Sequence, residues 1–165
     1  MRPSHAILVS LVLALPAPPA HAQRTIDKSR HLWSTVNICD TEKSPNTIGL
    51  RASMPGSGRR RERMFMRFRV QYKGIDGLWK DFSAKSTTSR WRDVGSARYK
   101  ARQSGFSFPF EPDPGQRFEL RGVVNFQWRR GGKVVRRATK ATTPGHNVTF
   151  ADPEGYSAAT CEIVG

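Results

Sequence analysis

Guanidinium groups dominate the chemistry this chain offers. Arg59, Arg60, Arg61 and Arg63 stand almost side by side, and Arg67 and Arg69 follow at alternate positions. Arg129, Arg130, Lys133, Arg136, Arg137 and Lys140 form a second cluster, and Arg90, Arg92, Arg98, Lys100 and Arg102 a looser third. Lysine and arginine number 28 against 13 acidic residues, a formal net charge of +15. A surface of that sign attracts anionic polymers by releasing their counterions. The plainer reading is solubility: outward strand faces must be polar, and charged edges discourage pairing with other chains. Aromatic side chains among the arginines would tilt the balance toward nucleic acid, because bases stack on rings. Phe65 and Trp91 are the candidates, with the core as their alternative home.

Catalytic patterns are missing. Beyond the first 22 residues only His31 and His146 remain as histidines, and His146 follows Gly145, where a solvated loop side chain is the expectation. No close His, Cys, Asp and Glu spacing suits a metal, so neither metal nor cofactor is expected. Glu111, Asp113, Asp152 and Glu154 sit beside prolines and read as turn formers, with calcium binding as the lesser alternative. The chain has no nucleophile elbow, zinc-protease or P-loop pattern. Gly56-Ser57-Gly58-Arg59 is only faintly like a phosphate cradle and reads as a flexible hairpin loop.

Compartment is written at the N-terminus. Arg2 precedes the apolar run Ala6 to Leu15, and Ala20-His21-Ala22 is a small-x-small cleavage pattern. Residues 1–22 therefore read as a secretory signal peptide cleaved after Ala22, leaving 23–165 as one extracellular domain. The apolar run is about half the length needed to cross a bilayer, so no membrane span is expected. Export favours pairing Cys39 with Cys161, with two buried thiols or a reactive cysteine as alternatives. Such a bond would tie the first strand to the last, and the chain-entropy model assigns about 5 kcal/mol to a loop that long.

The elements that must carry these residues are strands. Met64, Met66, Phe68, Val70 and Tyr72 alternate with Phe65, Arg67, Arg69 and Gln71, the mark of a half-buried antiparallel strand. Phe118, Leu120, Gly122, Val124, Phe126 and Trp128 repeat the pattern within 117–129. Gly131-Gly132 then reads as a tight turn into Lys133 to Ala141. A plain two-residue turn would set Arg137 beside Phe126 and bury it, which predicts a bulge or a longer loop. Further strands are expected at Leu32 to Cys39, Ile48 to Met54, Leu78 to Phe82, Arg98 to Gln103 (with Phe106, Phe108 and Phe110 beyond) and Tyr156 to Ile163. Trp33, Trp79, Trp91 and Trp128 read mostly as core, Trp128 most strongly. About eight strands in one domain predict an all-β antiparallel sandwich, with a small barrel second.

The stretches TVNICDT, PNTIGLRASMPGSG, MFMRFRVQY, VGSARYKARQSG, FELRGVVNFQWRRGGKVVRRATKATT and GYSAATCEI together resemble a family of small secreted actinobacterial proteins, over nearly all of residues 23–165. The strand pattern is also similar to immunoglobulin-like and fibronectin type III-like sandwiches. Neither likeness carries catalytic residues over. The antibody-type Cys-Trp-Cys spacing is absent, since Cys39 and Cys161 lie near the ends. The leading expectation is a non-enzymatic binder of an anionic polymer or cell-surface component through a basic sheet face. In a sandwich the two main arginine clusters can share one sheet and face the same way as a cationic plate. A protein-partner module, such as an inhibitor or adhesion accessory, is the alternative, and a hydrolase without recognisable motifs comes third. Nothing in the sequence fixes the oligomeric state.

Overall fold

The computed structural model describes residues 28–165; the expected signal peptide lies outside them. Nine strands form two packed sheets: β1 (Trp33–Thr41), β2 (Ser44–Pro55), β3 (Glu62–Lys73), β4 (Trp79–Asp81), β5 (Arg92–Ser96), β6 (Ala101–Pro109), β7 (Arg117–Arg130), β8 (Lys133–Ala141) and β9 (Thr160–Val164). The only helical element among the described residues is a single 3-10 turn, Lys85–Thr87. One sheet runs β1-β2-β6; the other runs β4-β3-β7-β8, with β5 also on β3 and β9 also on β7. Every named strand pair is antiparallel. The chain changes sheet between β2 and β3, between β5 and β6 and between β6 and β7, the crossing pattern of an immunoglobulin-like sandwich. The sandwich expected from the alternating sequence is thus present, with nine strands. No helix among the described residues is long and apolar enough to cross a membrane.

Period-two alternation builds the core. Met64, Met66, Phe68 and Val70 of β3 and Leu120, Val124, Phe126 and Trp128 of β7 are buried, facing Ile48, Leu50, Ala52 and Met54 of β2. Trp128 also donates its indole N–H across the sandwich to the carbonyl of Pro55, at 3.0 Å. Gly122 occupies an inward position of β7 because the sheets approach too closely there for a side chain. A Cβ would stand 2.5 Å from Leu50 Cδ2 and 2.8 Å from Thr142 Cγ2. Gly122→Ala should therefore cost about 1–2 kcal/mol through overpacking; urea unfolding checks this, and an unchanged midpoint would mean the sheets yield freely.

Three departures from the sequence reading stand out. β5 was not foreseen; it is short, half polar, and bends at Gly95, whose φ is +110. The strand expected from Arg98 begins instead at Ala101 and continues through the alternating phenylalanines to Pro109. The last strand starts at Thr160, because 143–158 runs along the free edge of β1. There Thr143 donates to the Ser34 carbonyl (2.9 Å), Asp152 to that of Asn37 (2.9 Å) and Ala158 to that of Val36 (3.0 Å). This strap occupies hydrogen-bonding groups that an exposed edge would offer to other chains.

Cys39 and Cys161 form a disulfide with Cα atoms 5.4 Å apart. It joins β1 of the smaller sheet to β9 of the larger one, across the sandwich.

Candidate anion-binding surface

The bulge expected in the β7–β8 hairpin is present and decides where the second arginine cluster points. Gly131 (φ 53) and Gly132 (φ 77) close a two-residue turn, as positive φ at both positions requires. Arg130 then pairs with Lys133 and Arg129 with Val134, but Trp128 pairs with Arg136. Val135 is the extra residue. Directly opposed residues share a face, so Arg136, Ala138 and Lys140 lie on the inner side of β8, opposite Trp128, Phe126 and Val124. They are half-buried rather than enclosed, because β8 is the marginal strand there. Arg137 faces outward opposite Gln127. The single plate expected from the sequence is therefore divided in two.

One part is the outer face of the larger sheet, where Arg63, Arg67, Arg69, Arg129 and Arg137 project. Phe65 and Trp91 stand among them, half-exposed, and not in the core. The Arg129 guanidinium lies 4.1 Å from the Phe65 ring and 5.2 Å from Trp91, and Arg67 lies 5.0 Å from Trp91. Arg121, which the sequence reading passed over, lies 4.5 Å from the half-exposed Trp79 ring. Such contacts hold a long side chain against apolar surface without cancelling its charge. Side-chain amides complete the arrangement. Gln127 accepts from Arg129 at 2.7 and 2.9 Å, and Gln71 accepts from Arg121 at 2.9 Å. Asn125 and Gln127 line a shallow cavity of about 230 Å³ with Arg67, Trp91, Arg137 and Thr139.

Ion pairs sort these cations into two groups. Arg63 is paired with Asp93 at 2.7 Å, Arg69 with Asp81 at 2.9 Å and Lys73 with Glu119 at 3.0 Å; Arg117 pairs with Glu162. Arg67, Arg121 and Arg129 form no ion pair among the described residues and rest on rings and amides instead. Burial, then the nearby Arg69 charge, lowers the Arg121 pKa against the opposing charge of Asp81, so an arriving anion would find a partly desolvated cation.

The other part lies at one end of the sandwich. Glu62, the first residue of β3, is fully buried on the inner side, opposite Arg130. Its Oε1 accepts from Arg130 at 2.6 Å and from Arg59 at 3.1 Å, and its Oε2 from Ser57 at 2.6 Å. Burial opposes ionisation, but those hydrogen bonds, with the charge of Arg136, outweigh it and hold the carboxyl below the usual carboxylate range. Arg59, Arg60, Arg61 and Arg130 line a cavity of about 480 Å³ there. Lys133, the first residue of β8, pairs with Arg130 there.

Neither His31 nor His146 lines either cavity. His146 is not a solvated loop residue: its ring stacks on Trp33, centroids 4.6 Å apart and 9° from parallel, with Nε2 2.9 Å from Thr143 Oγ1. Burial lowers its pKa. Trp33, like Trp79 and Trp91, is half-exposed, so of the four tryptophans only Trp128 belongs to the core. No cluster of three or more metal-ligating side chains occurs among the described residues.

No family model matches the chain, and neither does any curated protein. Among solved structures, Pseudomonas fluorescens alkylpurine DNA glycosylase AlkC bound to DNA containing an abasic site analog is similar at a TM-score of 0.30 and 15% identity. The match covers 68% of this chain and 29% of that one. A likeness that loose carries no argument about activity.

Proposed function

We propose that this is a non-enzymatic secreted protein that binds an anionic polymer or cell-surface component through the outer face of its six-stranded sheet. The observation that supports it is the set Arg67, Arg121 and Arg129, held on Trp91, Trp79 and Phe65 with no ion pair among the described residues. Ion pairs neutralise Arg63 and Arg69, whereas these three guanidiniums keep their charge while the rings hold them in place. Side chains already ordered against rings lose less freedom when a ligand arrives. Extracellular DNA, acidic wall polymers and sulfated glycans all present the required anions.

The test is retention on heparin and on DNA across a salt series, for wild type and for the double reversal Arg67→Glu/Arg129→Glu. The reversal should elute at markedly lower salt, and for duplex DNA its log K against log salt slope should be shallower by about 2. Both residues are outside the core, so thermal unfolding should shift little. Wild-type retention no stronger than that of a scrambled basic control would remove the proposal. A protein-partner role is the second reading; its support is Ile75 and Leu78, fully and largely exposed in the turn between β3 and β4.

A further inference from the structure

The end of the sandwich is built differently from the sheet face. Four guanidiniums line one cavity, and the carboxylate touching that group is the buried Glu62. It is fully enclosed, while the Arg59 and Arg130 side chains it anchors remain 58% and 48% exposed. Glu62 thus fixes two arginines from behind while their free N–H groups stay available in front.

The loop that carries Arg59, Arg60 and Arg61 is pinned, contrary to the flexible loop expected from its glycines and serine. Gly56 donates to the Lys100 carbonyl (3.0 Å), Gly58 to that of Ala97 (2.9 Å) and Glu62 to that of Arg59 (3.1 Å), while Ala97 donates to that of Glu62 (2.8 Å). Ser96 Oγ donates to the Arg60 carbonyl at 3.0 Å. Gly56 is obligatory in this fit, since a Cβ there would come within 1.7 Å of the Tyr99 carbonyl oxygen. The Gly56, Gly58 and Glu62 amides are engaged in holding the loop, and the groups the cup presents to a ligand are its arginine side chains.

We propose that this cup is a discrete site for a compact oligo-anion of the diphosphate class, separate from the polymer-binding face. Guanidinium is suited to tetrahedral oxyanions, which it grips with paired N–H donors. Four such groups against one carboxylate leave an excess that a single monoanion would not satisfy. The cavity, about 480 Å³, is many times the roughly 30 Å³ share of one water. Two linked tetrahedral groups with adjoining charges match the charge and fit within that volume.

The experiment is calorimetric titration of residues 23–165 with pyrophosphate, inorganic phosphate and sulfate at moderate salt, for wild type, Arg60→Ala/Arg61→Ala and Arg67→Glu/Arg129→Glu. Arg60 and Arg61 are exposed, so the first pair of changes should leave the fold intact. Pyrophosphate should bind at one site per chain, at least tenfold tighter than phosphate or sulfate. Arg60→Ala/Arg61→Ala should weaken it at least tenfold, and Arg67→Glu/Arg129→Glu less than threefold. Equal weakening by the two variants would show diffuse charge rather than a site, and no stoichiometric binding of pyrophosphate would end the proposal outright. Either failure differs from loss of heparin and DNA retention: a chain that binds pyrophosphate but is not retained keeps the cup and loses the polymer reading.

Discussion

Replacing Cys39 and Cys161 together by alanine should lower the free energy of unfolding by about 3–5 kcal/mol, the largest effect of any change named here. The bond spans a sequence separation of 122, almost the whole of the described chain. Cutting it returns to the unfolded chain the freedom that so long a closed loop removes. It also frees the two sheets at one place where they are covalently joined. β9 is short, and its partners are Arg117 to Arg121 of β7, with Cys161 opposite Leu120. Without the bond β9 would be held by that pairing and by the buried Ile163. Urea unfolding monitored by tryptophan fluorescence measures the loss, because Trp128 leaves a fully buried position on unfolding. The double variant should also gain local opening of β9 in hydrogen exchange while the β3–β7 pair stays protected. A loss below about 1 kcal/mol would mean that the unfolded chain is already compact enough for the tether to matter little.

The parts of this molecule that were legible beforehand are those governed by alternation. β3 and β7 carry apolar residues at every second position over long runs, so their existence and inward faces follow from composition and period alone. The hairpin was legible for a different reason. A regular register would have buried Arg137 beside Phe126, and the bulge at Val135 removes that conflict. What alternation cannot say is how far an outer strand overhangs the opposite sheet. Arg136 and Lys140 occupy inner positions because β8 is marginal, which no local pattern signals. Trp91 lies just before β5, outside any periodic run, so its place beside Arg67 and Arg129 depends on how β5 meets β3. Glu62 is the clearest case of context overruling composition. Nothing in its run of arginines marks it as enclosed, yet it continues the inward series of Met64 and Met66 by one more step.

That position makes Glu62→Gln the second large prediction: a loss of roughly 2–3 kcal/mol at neutral pH. Breaking an ion pair buried on both sides costs about 3–5 kcal/mol because a charge is stranded out of water. Here the stranded partners would be Arg59 and Arg130, whose side chains are about half exposed and can rehydrate, so the smaller figure applies. The amide keeps the shape and one acceptor, so the change reports on charge and not on a cavity. The pH dependence gives a second readout. The folded-state pKa of Glu62 lies below its ordinary value, because the hydrogen bonds from Ser57, Arg130 and Arg59 outweigh burial. Its contribution is therefore fully present above the unfolded pKa of about 4.3 and is lost as pH falls through the depressed folded value. Wild type and Glu62→Gln should differ most at neutral pH, and their stabilities should converge below about pH 4. Urea midpoints at a series of pH values measure this directly. A gap that persisted undiminished into strong acid would show that the glutamine disturbs packing, and that the carboxylate is not what ties the loop to the hairpin.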